Sequence, residues 1–293
     1  MQSILVIGGS GFVGKELIKN LQKKGHIVVS VSRKNSINID GVINRFMNLN
    51  SALKETEESL KKLFKDFKFD AILVLSSILH SEKVLSFCPY SESVRFISLS
   101  TTSVLNKKAS KIYVDKIIKS ESYIVKKTKK FVIVRPNMIF GGKEDRNISK
   151  VFEFIKKRPI VFLPGLNGGL IQPIFYKDVV KLLLNLIFIE KFPSGNIYNV
   201  GGFEPITSRK FIKLISREIG KFVLIVPIPK TILLLFNKMF FINKLIPISN
   251  EQIEKMTESR SMDNSDAKYD LSLVLTSYDE AIANLRLEDR KYY

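Results

Sequence analysis

Seven residues near the start of the chain, Gly8-Gly9-Ser10-Gly11-Phe12-Val13-Gly14, carry the clearest chemistry in the sequence. Glycines at this density let a turn bring its backbone close to an anion. A helix that begins inside such a turn points its first N–H groups at the same place. A pyrophosphate is the ligand this suits, with Gly8, Ser10, Gly11, Phe12, Val13 and Gly14 around it. Ser32-Arg33-Lys34 forms a second group, in which a hydroxyl and two cations can hold a phosphate monoester. Thr101-Thr102-Ser103 is a run of hydroxyls able either to hydrogen-bond a reacting oxygen or to cap a turn. Tyrosine with lysine at helical spacing makes a fourth group, since the lysine lowers the phenol pKa and the phenol moves a proton. Two such pairs compete. Tyr123 and Lys127 stand four residues apart, about one helical turn. Tyr113 has Ile117 at that distance, and the lysine nearest that position, Lys116, is rotated by about 100° around the helix.

The elements that must position these groups alternate between strand and helix. Ile4-Leu5-Val6-Ile7 is the unbroken apolar run of a strand buried on both faces, and Lys15 to Leu21 continues with helical spacing. Gly25 closes that helix. His26 to Val31 reads as a second strand with Ser32-Arg33-Lys34 at its end. Ile43 to Leu49 reads as a third, ending in Asn48-Leu49, and Ser51 to Phe67 as a helix. Asp70 to Leu75 is a fourth strand followed by Ser76-Ser77, and Arg95 to Ser100 a fifth that leads into the hydroxyl run. Phe131 to Pro136 is a sixth, opening so soon after Tyr123 and Lys127 that this pair falls at the far end of its helix. Beyond it the sequence predicts a helix from Lys143 through Lys157, a loop over Phe162 to Gly169 and a short strand from Leu170 to Phe175. A strand at Gly195 to Gly202 and a helix capped by Thr207 or Ser208 complete the pattern. Alternation of this kind predicts a doubly wound, Rossmann-type parallel α/β sheet. Residues 1–140 and 170–205 would form the core, and residues 141–169 and 206–293 a smaller C-terminal substrate lobe.

Composition bounds the partners. The 293 residues carry a formal charge of +19, from 47 Lys and Arg against 28 Asp and Glu. These cations are dispersed, without a dense tract or aromatic-interleaved patch, so nucleic acid is not an expected partner; peripheral contact with an anionic membrane surface stays open. Phe222 to Ile248 is apolar, but Pro227, Pro229, Lys230 and Lys238 interrupt the roughly 20 apolar residues that a spanning helix needs. From Lys230 to Ile242 it reads as an amphipathic helix, packed on the lobe or lying in a membrane interface. The single cysteine, Cys88, sits in apolar sequence and fits a reducing cytoplasm. His26 and His80 are far apart, and no metal is expected. No leader segment precedes the first strand, which predicts a cytoplasmic chain.

Gly8-x-x-Gly11-x-x-Gly14 differs from G-x-G-x-x-G and resembles the fingerprint of the atypical and extended short-chain dehydrogenase/reductases. Arg135-Pro136-Asn137-Met138-Ile139-Phe140-Gly141 resembles their R-P-x-x-x-[YF]-G stretch, and Gly195 to Gly202 resembles G-x-x-Y-N-V-G-G. Asp145-Arg146-Asn147, Pro164-Gly165, Gln172-Pro173 and Asp178-Val179 are similar to a subgroup of NAD-dependent epimerase/dehydratase-like proteins of bacterial polysaccharide biosynthesis. The resemblance implies NADP or NAD as cofactor, a nucleotide-linked sugar as substrate, and hydride transfer as in epimerisation or keto-sugar reduction. It implies that Thr101 hydrogen-bonds the reacting oxygen, with Tyr113 as acid/base and Lys116 in the lysine's place. Ser32, Arg33 and Lys34 would meet the adenine ribose, and the lack of an acidic residue there favours NADP. Asn48 and Leu49 would flank the adenine, Ser76 and Ser77 the ribose, and Pro136 the nicotinamide. Asn137, Arg146 and Gln172 would face substrate. Ile117 and Met138 depart from the family pattern, which has Lys and often Asn there. These departures support an alternative, a cofactor-holding structural or assembly protein of the same fold with little turnover, attached to a membrane.

Overall fold

The apolar runs of the first half of the chain become the strands of one parallel sheet, and the amphipathic runs between them become its helices. A computed structural model describes residues 1–33, 37–51, 54–106, 110–141, 145, 148–232 and 261–290. Lys34, Arg146, most of the predicted start of the helix after Gly141, and residues 233–248 of the apolar segment lie outside the described residues. The chain divides into two units, Met1–Asn137 with Tyr176–Val200 and Asp263–Val274, and Met138–Phe175 with Gly201–Met262 and Leu275–Tyr293.

In the first unit the order is β1 (Ser3–Ile7), α1 (Phe12–Lys23), β2 (Ile27–Ser32), β3 (Val42–Phe46), α2 (Lys54–Asp66), β4 (Ala71–Val74), α3 (Ser81–Phe87), β5 (Arg95–Leu99), α4 (Lys111–Lys127) and β6 (Phe131–Pro136). The sheet has seven strands, the seventh being the later segment Asn196–Val200, which pairs in parallel with β6. From that edge the order runs through β6, β5, β4, β1 and β2 to β3, all parallel. The chain winds outward from β1 through β2 to β3, then crosses back to β4 on β1's other side. A crevice at the carboxyl ends of β1 and β4 is where such a sheet receives ligands. Ile4, Leu5, Val6 and Ile7 are at most 1% exposed, and Ala71 to Val74 are equally buried. Each buried Val, Leu or Ile side chain among them contributes roughly 1.5–3 kcal/mol through burial. Helix α1 buries Val13, Leu17, Ile18 and Leu21, the i, i+4, i+5, i+8 stripe of a helix laid on a sheet.

The second unit contains β7 (Ile139–Phe140), α5 (Ile148–Lys157), β8 (Ile160–Pro164), β9 (Leu170–Ile171) and β10 (Ile174–Phe175). Then come α6 (Tyr176–Phe188) and β11 (Asn196–Val200) of the first unit, and β12 (Ile206–Thr207), α7 (Ser208–Glu218) and β13 (Leu224–Ile228) of the second. Helix α8 (Ser265–Leu271) belongs to the first unit and α9 (Tyr278–Arg290) to the second. The second unit's strands form three two-stranded sheets, β10 with β7, β12 with β9 and β13 with β8. An aromatic cluster knits it together: Phe140 lies 5.7 Å from Phe175 and 5.8 Å from Phe211, and Phe211 lies 5.5 Å from Tyr278, between ring centroids.

Three expectations change here. Phe162-Leu163-Pro164, read as loop, is strand β8, because Leu224–Ile228 supplies a parallel ladder to it. That same pairing turns part of the membrane-like window into strand β13. The single strand expected over Leu170 to Phe175 is two, with separate partners, divided at Gln172-Pro173. The α7 cap is as expected: Thr207 Oγ1 accepts from Lys210 N at 3.2 Å. Among the described residues no helix is long and apolar enough to cross a membrane, and no group of His, Cys, Asp or Glu could hold a metal ion.

Candidate dinucleotide site

The turn between β1 and α1 is shaped by what its glycines lack. Gly8 has φ +87° and donates its N–H to Val31 O at 2.8 Å, fastening the turn to β2. A Cβ on Gly8 would stand 2.7 Å from both the backbone N and the Cβ of Ser76, just beyond β4. On Gly9 it would stand 2.3 Å from Ser30 Oγ, and on Gly14 it would stand 2.6 Å from Gly8 O and 2.8 Å from Gly9 Cα. Strand β1, helix α1 and the end of β4 therefore meet at van der Waals distance only because three side chains are missing. Gly11 differs. Among the described residues its Cβ would touch only Gly8 O, at 3.4 Å, so its own flank is open to them. Helix α1 starts there with no side-chain cap and no acidic residue in its first turn. Its first N–H groups and positive dipole end thus face the opening, the requirement for an anion. Phe12 leans on Tyr176 at 6.0 Å between ring centroids, and Val13 is buried. Ser10 is half-buried, Ser32 is buried at the end of β2, and Arg33 is exposed beside it.

Asn48, Leu49, Ser76 and Ser77 occupy the loops after β3 and β4. Asn48 Oδ1 accepts from Asn50 N at 3.2 Å, turning the loop back on itself, and Leu49 is buried beneath it. Ser77 Oγ caps the short turn Ile78–His80, accepting from Leu79 N at 3.4 Å. Two residues without any motif of their own join these loops. His80 Nδ1 lies 2.8 Å from Ser76 Oγ and its Nε2 lies 2.8 Å from Asn50 Oδ1. Lys83 Nζ donates to Leu49 O at 3.2 Å and to Ser51 O. Burial, and then the charges of Arg33 and Lys83, hold His80 below its ordinary pKa of 6.5. The only local signal in the sequence is the i, i+3 spacing of His80 and Lys83 at the start of a helix.

Further along the same carboxyl edge of the sheet, after β5, the hydroxyl run forms a capped turn. Thr101 Oγ1 accepts from Ser103 N at 3.1 Å and donates to Ser103 Oγ at 3.0 Å. Thr102 Oγ1 donates to Asn137 Oδ1 at 3.4 Å, linking that turn to the buried end of β6, where Pro136 is also buried. Helix α4 packs on this turn and on Ile78–His80. Tyr113, in the first turn of α4, is 51% exposed, and Lys116 is exposed as well. Ile117, four residues beyond Tyr113, is 2% exposed within the core that includes Leu85, Phe96 and Ile133. Tyr123 lies in the second half of α4, its hydroxyl 2.8 Å from Ser86 Oγ. Glu121 is buried and receives Ser100 Oγ at 2.6 Å, Arg135 Nε at 2.9 Å and Arg135 Nη2. This ion pair locks α4 to the ends of β5 and β6. In the second unit Gln172 is 2% exposed; its Nε2 donates to Gly202 O at 2.9 Å and its Oε1 accepts from Met262 N at 2.6 Å.

Residues 4–127, which include the turn, strands β1–β5 and all of α4, match the NAD dependent epimerase/dehydratase family. No curated protein matches the sequence. The chain is similar in structure to UDP-N-acetylglucosamine 4-epimerase from Bacillus cereus, at 17% identity and a TM-score of 0.72, covering 99% of this chain and 100% of that one. It is similar to UDP-glucose 4-epimerase from Thermotoga maritima, solved with UDP-glucose, at 16% identity and a TM-score of 0.72 over 99% and 100% of the two chains. A third likeness is UDP-glucuronic acid 4-epimerase from Bacillus cereus, in complex with UDP-glucuronic acid and NAD, at 17% identity and a TM-score of 0.73, again over 99% and 100%. At these identities the likeness is one of fold.

Proposed function

We propose, from a chain whose residues 4–127 belong to the NAD dependent epimerase/dehydratase family, that this protein binds NADP or NAD and transfers hydride to or from a nucleotide-linked sugar. The glycine cradle carries the reading. Three absent side chains close β1, α1 and β4 around a turn whose fourth glycine, Gly11, is left open at an uncapped helix start. That arrangement fits a pyrophosphate. A bound nicotinamide dinucleotide supplies the hydride acceptor or donor. The protein's own groups bind it, orient the substrate and move a proton. The N–H groups around Gly11, Phe12 and Val13 hold the diphosphate, with Ser10 beside them. Ser32 and Arg33, and Lys34 by its place in the sequence, meet the adenosine ribose, where the cations favour a 2′-phosphate. The loops carrying Asn48, Leu49, Ser76 and Ser77 border the adenosine, and Pro136 borders the nicotinamide.

For the chemistry, the Thr101 hydroxyl orients the reacting oxygen and the Tyr113 phenol exchanges a proton with it. Ile117 takes away the ammonium that a neighbouring helical turn would supply, leaving Lys116 on an adjacent face of α4. Asn137 and Arg146 are assigned to the substrate, and Gln172 acts through the backbone of Gly202 that it holds. Native mass spectrometry of the purified protein, followed by titration with NADPH and NADH, tests the first step. Binding of neither at saturating concentration would refute it. Loss of hydride transfer in Tyr113→Phe, assayed over a panel of UDP-sugars, tests the second.

One observation favours a second reading, a protein that holds the dinucleotide without turnover: the position that the family gives to lysine is Ile117, inside the core. Tight cofactor binding with no exchange of hydride to any sugar in that panel would support it over the first.

A further inference from the structure

The loop after β3 is held from outside itself. Of Asn48 to Ser51 only Leu49 is buried, and Asn48 and Asn50 are exposed, so few apolar contacts order the loop. Asn48 O accepts from Ser51 N at 3.0 Å and from Thr56 Oγ1 of α2 at 3.4 Å, and three further bonds reach the loop from the start of α3. Lys83 Nζ donates to Leu49 O at 3.2 Å and to Ser51 O, and His80 Nε2 meets Asn50 Oδ1 at 2.8 Å. An amide oxygen only accepts, so Nε2 carries the proton and Nδ1 accepts from the Ser76 hydroxyl, 2.8 Å away. Ser76 is also the residue against which Gly8 packs. One imidazole thus connects the β3 loop to the glycine turn's neighbour. An ammonium donating to two carbonyls makes charge-assisted bonds, roughly twice as strong as neutral ones.

We propose that Lys83 and His80 are positioning residues that hold Asn48–Ser51 in the conformation receiving the adenosine half of the dinucleotide. The inference rests on the dinucleotide reading above and assigns these two side chains to one half of that ligand. Without them the loop samples other conformations, and apparent affinity falls in proportion to the fraction that remains competent.

The test is calorimetric titration of the full chain with ADP-ribose, alongside hydrogen exchange of residues 48–51. Lys83→Met is expected to weaken ADP-ribose about ten-fold, the effect of a competent fraction near one tenth. It should also raise exchange in the free protein, with protection returning at saturating ADP-ribose. Lys83→Arg, which keeps a cationic donor, should restore both readouts to within about three-fold, and His80→Ala should weaken binding in the same direction. An ADP-ribose affinity in Lys83→Met within two-fold of the wild type overturns the inference, as does a loss that Lys83→Arg leaves unrepaired. A wild-type chain that binds neither ADP-ribose nor NAD(P) overturns the dinucleotide reading itself and this inference with it.

Discussion

Two glycines only three positions apart should respond to alanine in opposite ways. A Cβ on Gly14 would lie 2.6 Å from Gly8 O and 2.8 Å from both Gly9 Cα and Gly9 O. All three are backbone atoms, so no side chain can turn aside. Relief requires α1 to lift from the turn, loosening Val13, Leu17, Ile18 and Leu21 beneath it. Overpacking of this kind costs about 1–3 kcal/mol, against which alanine recovers up to about 1 kcal/mol of helix propensity. A net loss of about 1–2 kcal/mol lowers Tm by about 2–8 °C at 2–4 °C per kcal/mol. Gly11 has an ordinary extended backbone, φ −71° and ψ 161°, and among the described residues its Cβ would meet only Gly8 O at 3.4 Å. Gly11→Ala should therefore leave Tm within about 2 °C of the wild type, a surface-like effect under about 0.5 kcal/mol. Yet its methyl group stands where a diphosphate must approach the backbone, so NADPH affinity should fall about ten-fold or more, equivalent to about 1.4 kcal/mol. Differential scanning calorimetry and fluorescence titration on the same preparations separate the two. Gly11→Ala binding as well as the wild type, or Gly14→Ala equally stable, would refute the assignment of Gly11 to the ligand and Gly14 to the helix–turn contact.

Other perturbations draw on the same geometry. Glu121→Ala strands the partly buried Arg135 guanidinium and removes the acceptor of Ser100; the expected cost is about 3–5 kcal/mol by urea denaturation. Ile117→Lys, which restores the tyrosine–lysine spacing, places an ammonium in a site 2% exposed. It should cost more than about 3 kcal/mol, and a stable variant with enhanced hydride transfer would contradict the burial. His80 is neutral in the folded state, its pKa held below 6.5. The unfolded chain therefore binds the extra proton first as pH falls through 6.5, and the histidine's contribution to stability declines down to its folded pKa. His80→Gln should flatten the stability profile over that acidic window, as measured by thermal melts from pH 7.5 to 5.

Much of the first unit could be read from sequence because strands buried on both faces must be unbroken apolar runs, as Ile4–Ile7 and Ala71–Val74 are. The glycine turn was legible for a related reason: a demand on the backbone is written directly in residue type. The strands of the second unit carried no such signal. Strands β9, β10 and β12 have two residues each, too short for any period, and they exist only through distant partners. β8 was hidden by its dependence on Leu224–Ile228, which itself lay within a stretch of membrane-like composition. At the site, His80 and Asn50 are thirty positions apart and meet only through the sheet, so no spacing rule marks them. The interrupted dyad was visible in Ile117, and its burial gives the physical reason why lysine would be costly there.

The division of the chain has a consequence for its birth on the ribosome. The polypeptide passes between the two units five times, after Asn137, Phe175, Val200, Met262 and Val274. Edge strand β11 relies on α8 for one of its anchors, Tyr198 Oη donating to Asp270 Oδ2 at 2.7 Å, and α6 is tied to the same helix by Asn185 Nδ2 and Leu271 O at 3.0 Å. The aromatic cluster of the second unit waits in turn for Tyr278. Strands β1–β6 can assemble as they emerge, but neither unit closes until Asp270, Leu271 and Tyr278 are made. A nascent chain stalled before Asp263 would expose one side of each, and release would be followed by a late, concerted step joining segments about 65 to 90 positions apart.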